Sequence, residues 1–134
     1  MESIFKGMDI SATGLKAEWK RMEVTANNVA NAETTRTADG GPYRRQRVVF
    51  ATALDEMAGV RVKGVVSDDT APRLQFDPSH PDADPETGYV AMPNVKLPME
   101  MVDLMSAGRA YEANLTAMRS FKQIAEETIR SLRG

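Results

Sequence analysis

The stretch Phe5-Lys-Gly-Met-Asp-Ile-Ser-Ala-Thr-Gly-Leu-Lys-Ala-Glu-Trp-Lys-Arg-Met-Glu-Val-Thr-Ala-Asn-Asn-Val-Ala-Asn31 decides the fold. Taking every third or fourth residue gives Phe5, Met8, Ala12, Leu15, Trp19, Met22, Ala26 and Val29. The steps of three and four alternate without a break. That is the heptad pattern of a helix meant to lie along another helix. Lys16, Glu18, Lys20, Arg21 and Glu23 fill the other faces. Ser3, Asp9 and Ser11 all offer N-caps, so the start falls between Ser3 and Ser11. Gly7 and Gly14 each cost about 1 kcal/mol relative to Ala, so this helix depends on packing for its order. The Asn-rich run from Asn27 to Asn31 is predicted to end it, because Asn tolerates the left-handed conformation at helix ends.

A seam of this kind needs a partner, and the other end of the chain supplies one. Pro98 is tolerated in a first helical turn and Glu100 suits the positive end of the dipole. The stripe then runs Met101, Leu104, Gly108, Tyr111, Leu115, Met118, Lys122, Ala125, Ile129 and Leu132, broken only by Lys122. Arg130 and Arg133 suit the negative end, and Glu126 precedes Arg130 by one turn in the favourable order. At 1.5 Å per residue this second helix is about 52 Å long.

Between the helices the pattern changes. Asp39-Gly-Gly-Pro42 is a turn. Tyr43–Phe50 and Val60–Val66 read as strands, the second with a bulge at Gly64. Arg73–Phe76 and Tyr89–Met92 are shorter extended pieces around an irregular Pro- and Asp-rich run from Asp77 to Gly88. A β region this small cannot stand alone. The expected architecture is mainly α with a small β insert: an N-terminal helix within residues 1–33, a β-rich central insert within 34–96, and a C-terminal helix within 97–134. The helices pair antiparallel as a coiled-coil core. Setting Val29 beside Pro98 places Trp19 opposite Gly108, Ala12 opposite Leu115 and Phe5 near Lys122. The glycine then makes room for the tryptophan. Residues 125–132 overhang with an apolar stripe that needs another chain.

Composition narrows the function. Hydrophobic residues make up 42% and aromatics 6% of the 134 residues, and the net charge of −2 implies no bulk attraction to nucleic acid or anionic membrane. No apolar run approaches the ~20 residues that span a bilayer. No cleaved secretory signal is visible at the N-terminus. With no Cys, disulfides, thiolate metal sites and a Cys nucleophile are excluded. Nine Met suit surfaces that adapt to more than one neighbour as well as ordinary gap-filling. One His and no Cys leave no acid–base or nucleophile constellation, so no catalytic site and no cofactor are expected. His80, Asp82 and Asp84 lack the further ligands of a closed metal site. Arg44, Arg45 and Arg47, without interleaved aromatics, read as a solvated or inter-subunit face rather than a nucleic-acid patch.

The run Thr25-Ala-Asn-Asn-Val-Ala-Asn-Ala-Glu-Thr34 resembles the N-terminal signature of the flagellar rod and hook proteins, the axial proteins of bacterial flagella. Asn27, Asn28, Asn31 and Ala32 are its matching positions. Val29 stands where the family usually has Leu or Ile. Three further stretches resemble the short proximal-rod members: Gly40-Gly-Pro-Tyr-Arg-Arg45 with Val48-Val-Phe50; Asp77-Pro-Ser-His-Pro-Asp-Ala-Asp84 with Gly88-Tyr-Val90; and Met92-Pro-Asn-Val95 leading into Glu100-Met-Val and Met105-Ser-Ala-Gly-Arg-Ala-Tyr-Glu-Ala-Asn114. The likeness runs almost end to end.

The resemblance implies a non-catalytic building block. It would be exported from the cytoplasm through the flagellar type III channel and would assemble helically into a rod that transmits torque across the periplasm. The terminal helices would form the inner layer. The implied partners are copies of itself and other rod proteins, with basal-body ring and export-gate components adjacent. Neither nucleic-acid binding nor membrane insertion is implied. The alternative class is a soluble coiled-coil adaptor or export chaperone that shares only the heptads. In either class, Asn27, Asn28 and Asn31 serve inter-subunit hydrogen bonds at the end of the first helix or local capping and loop entry. The residues expected at helix and subunit contacts are Phe5, Met8, Leu15, Trp19, Met22, Val29, Met101, Leu104, Gly108, Tyr111, Leu115, Met118, Ile129 and Leu132.

Overall fold

A computed structural model describes residues 2–52 and 59–134. Helix α1 runs Glu2–Ala30 and helix α2 runs Leu97–Arg133. Between them lie strands β1 (Gln46–Thr52), β2 (Val60–Ser67), β3 (Arg73–Phe76) and β4 (Tyr89–Met92). The helices pack against each other, so the architecture is mainly helical with a small β insert, as the sequence predicts. Helix α1 begins earlier than any of its candidate caps, and α2 opens with Pro98 in its first turn and no side-chain cap.

The helices pair antiparallel, but along a seam that hydrophobicity does not mark. A Cβ added at Gly7 would meet the Phe121 ring at 2.7 Å, and one added at Gly14 would meet the Asn114 amide at 2.7 Å. Asn28 bonds Glu100 at 3.1 Å. From Gly7 to Gly14, and on by two further heptads to Asn28, each step along α1 is matched by an equal step back along α2, from Phe121 through Asn114 to Glu100. The seam is therefore a heptad, built at its centre from small and polar residues. Ser11, Thr25 and Asn28 are buried on α1, and Glu100, Ala107 and Ala125 on α2. Small residues let the helices approach closely, and that close approach is what the two costly glycines in α1 provide.

This corrects the proposed lock between Trp19 and Gly108. Nothing stands within 4 Å of the point a Gly108 Cβ would occupy. Trp19 instead tilts against Tyr111, with ring centroids 6.2 Å apart, and stays 60% exposed. The apolar stripe read from the sequence is rotated by one residue from the true seam. Met8, Leu15, Met22 and Val29, with Leu104, Tyr111, Leu115 and Met118, flank it half-buried. Phe5, Trp19, Met101, Ile129 and Leu132 face outward.

Each sheet is a single antiparallel pair. In β1–β2, Val49 pairs with Gly64 and Phe50 with Val62, leaving Lys63 as the extra residue of a bulge beside the glycine that signalled it. This hairpin covers a second face of α1, where Ala17 and Val24 are buried. The Thr13 hydroxyl accepts from the Val60 N–H at 3.1 Å and donates to the Ile10 carbonyl at 2.6 Å. Gly59 reaches this contact at φ 88, a left-handed backbone that favours glycine. Strands β3 and β4 pair from Arg73–Met92 to Phe76–Tyr89. One face of β4 buries Val90 and Met92, and with Pro93, Val95 and Ala32 these form the apolar core. The core thus lies where α1 ends and α2 begins, while the opposite end of the helix pair has little beneath it.

The glycines make a paired prediction. Gly14→Leu should destabilise the isolated chain by about 1–3 kcal/mol through overpacking against Asn114. Gly108→Ala should stabilise it by roughly 0.5–1 kcal/mol, since the space is open and the helix gains propensity. Chemical denaturation followed by circular dichroism measures both, and a destabilising Gly108→Ala would restore the pairing with Trp19.

Candidate functional site, a buried polar node and an open apolar surface

The Asn-rich end of α1 builds the node. Asn28 is 1% exposed, so each of its polar atoms must find a partner inside the protein. Its amide donates to the Gln46 carbonyl at 2.7 Å and to Glu100 Oε2 at 3.1 Å. Its oxygen accepts from the Tyr43 hydroxyl at 2.8 Å and from the Gln46 N–H at 2.9 Å. Two donors and two lone pairs are all an amide side chain has, and all are used. One side chain thereby ties the end of α1, the loop at Tyr43, strand β1 and the start of α2.

Glu100, also 1% exposed, is the node's charge. Arg45 donates through Nε to Glu100 Oε1, and its other nitrogens reach Asp68 and Asp103, each at 3.4 Å. Arg21 approaches Asp103 from α1 at 3.9 Å. Burial works against the Arg45 cation, but the bond and charge of Glu100, with Asp103 and Asp68, outweigh it and hold the guanidinium above its usual range. Burial and the nearby Glu100 charge both push the Tyr43 hydroxyl up. The Arg45 N–H donates to Asn94 Oδ1 at 2.7 Å, and the Asn94 amide returns bonds to the carbonyls of Asp68 and Thr70. Among the described residues no buried polar side-chain atom lacks a partner.

A second pin joins the loop after α1 to the Pro- and Asp-rich segment. Asp82 accepts from Thr35 at 2.7 Å and pairs with Arg36, while the Asp82 N–H donates to His80 Nδ1 at 3.0 Å. Asp84 caps the Glu86 N–H at 2.9 Å. Among the described residues no acidic and His group is arranged to hold a metal ion. The Thr35 hydroxyl and Arg36 hold the Asp82 carboxyl below the usual range, and Thr70 and Arg45 do the same for Asp68.

The signature residues divide. Asn31 is local, its amide donating to the Asn27 carbonyl at 2.8 Å, and Thr34 donates to Asn31 Oδ1 at 3.2 Å. Ala32 is in the core and Asn27 is exposed. Arg44 and Arg47 are exposed, whereas Arg45 is turned into the node, which corrects the reading of all three as one outward face. The sequence reading also missed Tyr43, Gln46, Asn94 and Glu100 as node residues. The available signal was the spacing of Tyr43 and Arg45: two apart in an extended segment, they share a side.

Outside the node the surface is apolar over long stretches of helix. Met99, Met101, Val102 and Met105 on α2 are each 58–65% exposed. Phe5 and Trp19 on α1 are open as well. A lone apolar surface residue is ordinary, but contiguous apolar patches mark interaction sites. No described helix is long and apolar enough to cross a membrane. The protein defined by these features is a long helical hairpin with a small β insert, pinned at one end and with apolar side chains exposed along its helices.

Sequence comparison agrees with that class. Residues 8–36 match the family described as "Flagella basal body rod protein", and residues 86–131 match "Flagellar basal body rod FlgEFG protein C-terminal". The chain is 40% identical to the flagellar basal-body rod protein FlgC of Borreliella burgdorferi over 98% of this chain and 99% of that protein. It is 40% identical to the FlgC of Yersinia enterocolitica over 95% and 96%, and 39% identical to that of Bacillus subtilis over 88% and 91%. The chain belongs to the FlgC family of flagellar basal-body rod proteins. It is a structural component of the basal body and not an enzyme.

Two outcomes follow for the node. Asn28→Ala should cost about 2–3 kcal/mol, because it strands buried Glu100 and Tyr43 groups. Asn28→Asp should cost more by setting a second carboxylate against Glu100. Urea denaturation gives both, and a neutral Asn28→Ala would contradict the role assigned to the node. Asp82 and Asp68 set the acid limb. Their folded pKa values are lowered, so the stability they contribute is present above about pH 4, the ordinary Asp value, and is lost as pH falls through the folded values. Asp82→Asn should flatten stability against pH below about pH 4, and an unchanged slope would remove Asp82 from the account.

Proposed function

We propose that this chain is a subunit of the proximal rod, exported through the flagellar type III channel and built into the helical drive shaft by its terminal helices. The observation that carries the reading is the row of exposed Met99, Met101, Val102 and Met105 on a helix whose other face is already paired. A side so apolar gains stability when a neighbour covers it. The glycine seam fits the export requirement, because a pair that relies on packing rather than intrinsic helicity gives way readily in a narrow channel. Residues 1–33 and 97–134 form the assembling core of this reading, and 34–96 the outer insert. Copies of the chain and other rod proteins are its neighbours in the assembly, with basal-body ring and export-gate components adjacent.

Repeated contact between two different patches builds an open helix when the rotation between neighbours does not close a ring. Torque then passes along helix axes, the stiff direction of the subunit. Deleting the gene should abolish swimming and leave no complete rod; a motile deletion strain would end the reading. A narrower test replaces the patch: Met101→Gln with Val102→Thr and Met105→Gln should leave the helicity of the purified chain intact, since all three are exposed, yet abolish rods seen by electron microscopy of basal bodies. Normal rods in that variant would remove this face from the assembly.

A further inference from the structure

The two ends of the helix pair differ in a complementary way. At the end where α1 stops and α2 starts lies a groove of about 460 Å³, lined by Ala32, Glu33, Arg73 and Val95 through Met99. Its floor is apolar, with Ala32 and Val95 buried, and Leu97 and Met99 stand exposed at its lip. The last turn of α1 carries no basic residue of its own, and Glu33 lies just beyond the negative end of its dipole. At the opposite end α2 outruns α1. The register set by Gly7 and Phe121 brings Glu2 level with Glu126, so the last seven residues of α2 project by about 10 Å. On that projection Ile129 and Leu132 are exposed, Leu132 at 78%. Arg130 and Arg133 stand beside them.

We infer that the groove receives the last turn of the closing helix of a second axial subunit, an apolar pair flanked by arginines like the one this chain itself presents. This rests on the rod-subunit reading above and adds to it the contact that joins subunits end to end. The two apolar side chains of the incoming turn pack against the exposed Leu97 and Met99, above the floor formed by Ala32 and Val95. Its arginines meet Glu33 and the carbonyl end of α1, and its glutamates one turn back, the counterparts of Glu126 and Glu127, meet Arg73 and Lys96. Both signs of charge are thus matched. Because donor and acceptor lie at opposite ends of one molecule, the contact is head-to-tail and propagates along the axis when the rotation between neighbours does not close a ring. It also accounts for Leu132, which is 78% exposed among the described residues.

Photo-crosslinking tests this in flagellated cells that keep a native copy, so that basal bodies form whatever the variant does. A tagged full-length chain carries p-benzoylphenylalanine in place of Met99 at the lip, of Leu132 on the projection, or of Lys63 on the exposed hairpin as control. Adducts from purified basal bodies are mapped by peptide mass spectrometry. The Met99 probe should attach to the C-terminal helical turn of a rod-family subunit. The Leu132 probe should attach to the segments that flank the two helices in its neighbour, and the Lys63 probe to neither. A Met99 variant excluded from basal bodies that the Lys63 variant enters would also support a covered groove. Adducts to any other segment, or none from basal bodies that contain the Met99 chain, would overturn the docking while leaving the rod subunit intact. A tagged wild-type chain absent from the basal bodies of swimming cells would overturn the rod reading itself.

Discussion

The structure depends on the four hydrogen bonds of the Asn28 side chain. An amide with every donor and acceptor engaged inside the protein has no cheaper alternative, since breaking one bond strands a buried partner. Its partners come from three separate parts of the chain, so the residue works only when all three are in place. It fixes where α1 stops, the angle at which β1 leaves and the register in which α2 returns. Glu100 and Arg45 extend the same logic with charge. A buried charge pair is weak evidence for stability and stronger evidence for specificity, because wrong registers leave the charges unpaired. The coiled-coil register is therefore set at one end by polar matching, and the rest of the seam follows by heptad steps.

That arrangement divides the molecule by mechanical role. Near the node the chain has its apolar core and its dense hydrogen bonding. Away from it the helices touch through Gly7 against the Phe121 ring and Gly14 against Asn114, with apolar side chains only half-buried on the flanks. The apolar residues that ordinarily fill such a seam are displaced onto the flanks and outer faces. A subunit built this way can keep its register when alone while Met101, Val102 and Met105 stay exposed, and the proposed rod assembly would cover them.

Much of this was legible in the sequence. The two helices, the four strands and the bulge beside Gly64 followed from period, turn residues and propensity, all local properties. The register failed by one residue, with a matching rotation of the seam, because the stripe was chosen by hydrophobicity. That criterion assumes the buried face is the apolar face. Here the apolar residues flank the seam or face outward, and the internal seam is marked by glycine instead. Gly7 and Gly14, a heptad apart, carried the signal, but as single residues they read as helix weakeners. The node was hidden for a different reason. Asn28, Arg45 and Glu100 are each common surface residues, and only their meeting in space makes them a core. The Asn-rich run identified the family before any physical account of Asn28 was available.

The central claim is that order in the free chain is anchored at the node and weakens toward the other end of the helix pair. Hydrogen exchange on the dilute, unassembled full-length chain, resolved along both helices, tests it most directly. The slowest amides should lie in residues 24–30 of α1 and 101–107 of α2, beside Asn28 and Glu100, with exchange becoming faster toward residues 5–14 and 118–133. Uniform protection from end to end, or slowest exchange at the end far from the node, would contradict the account.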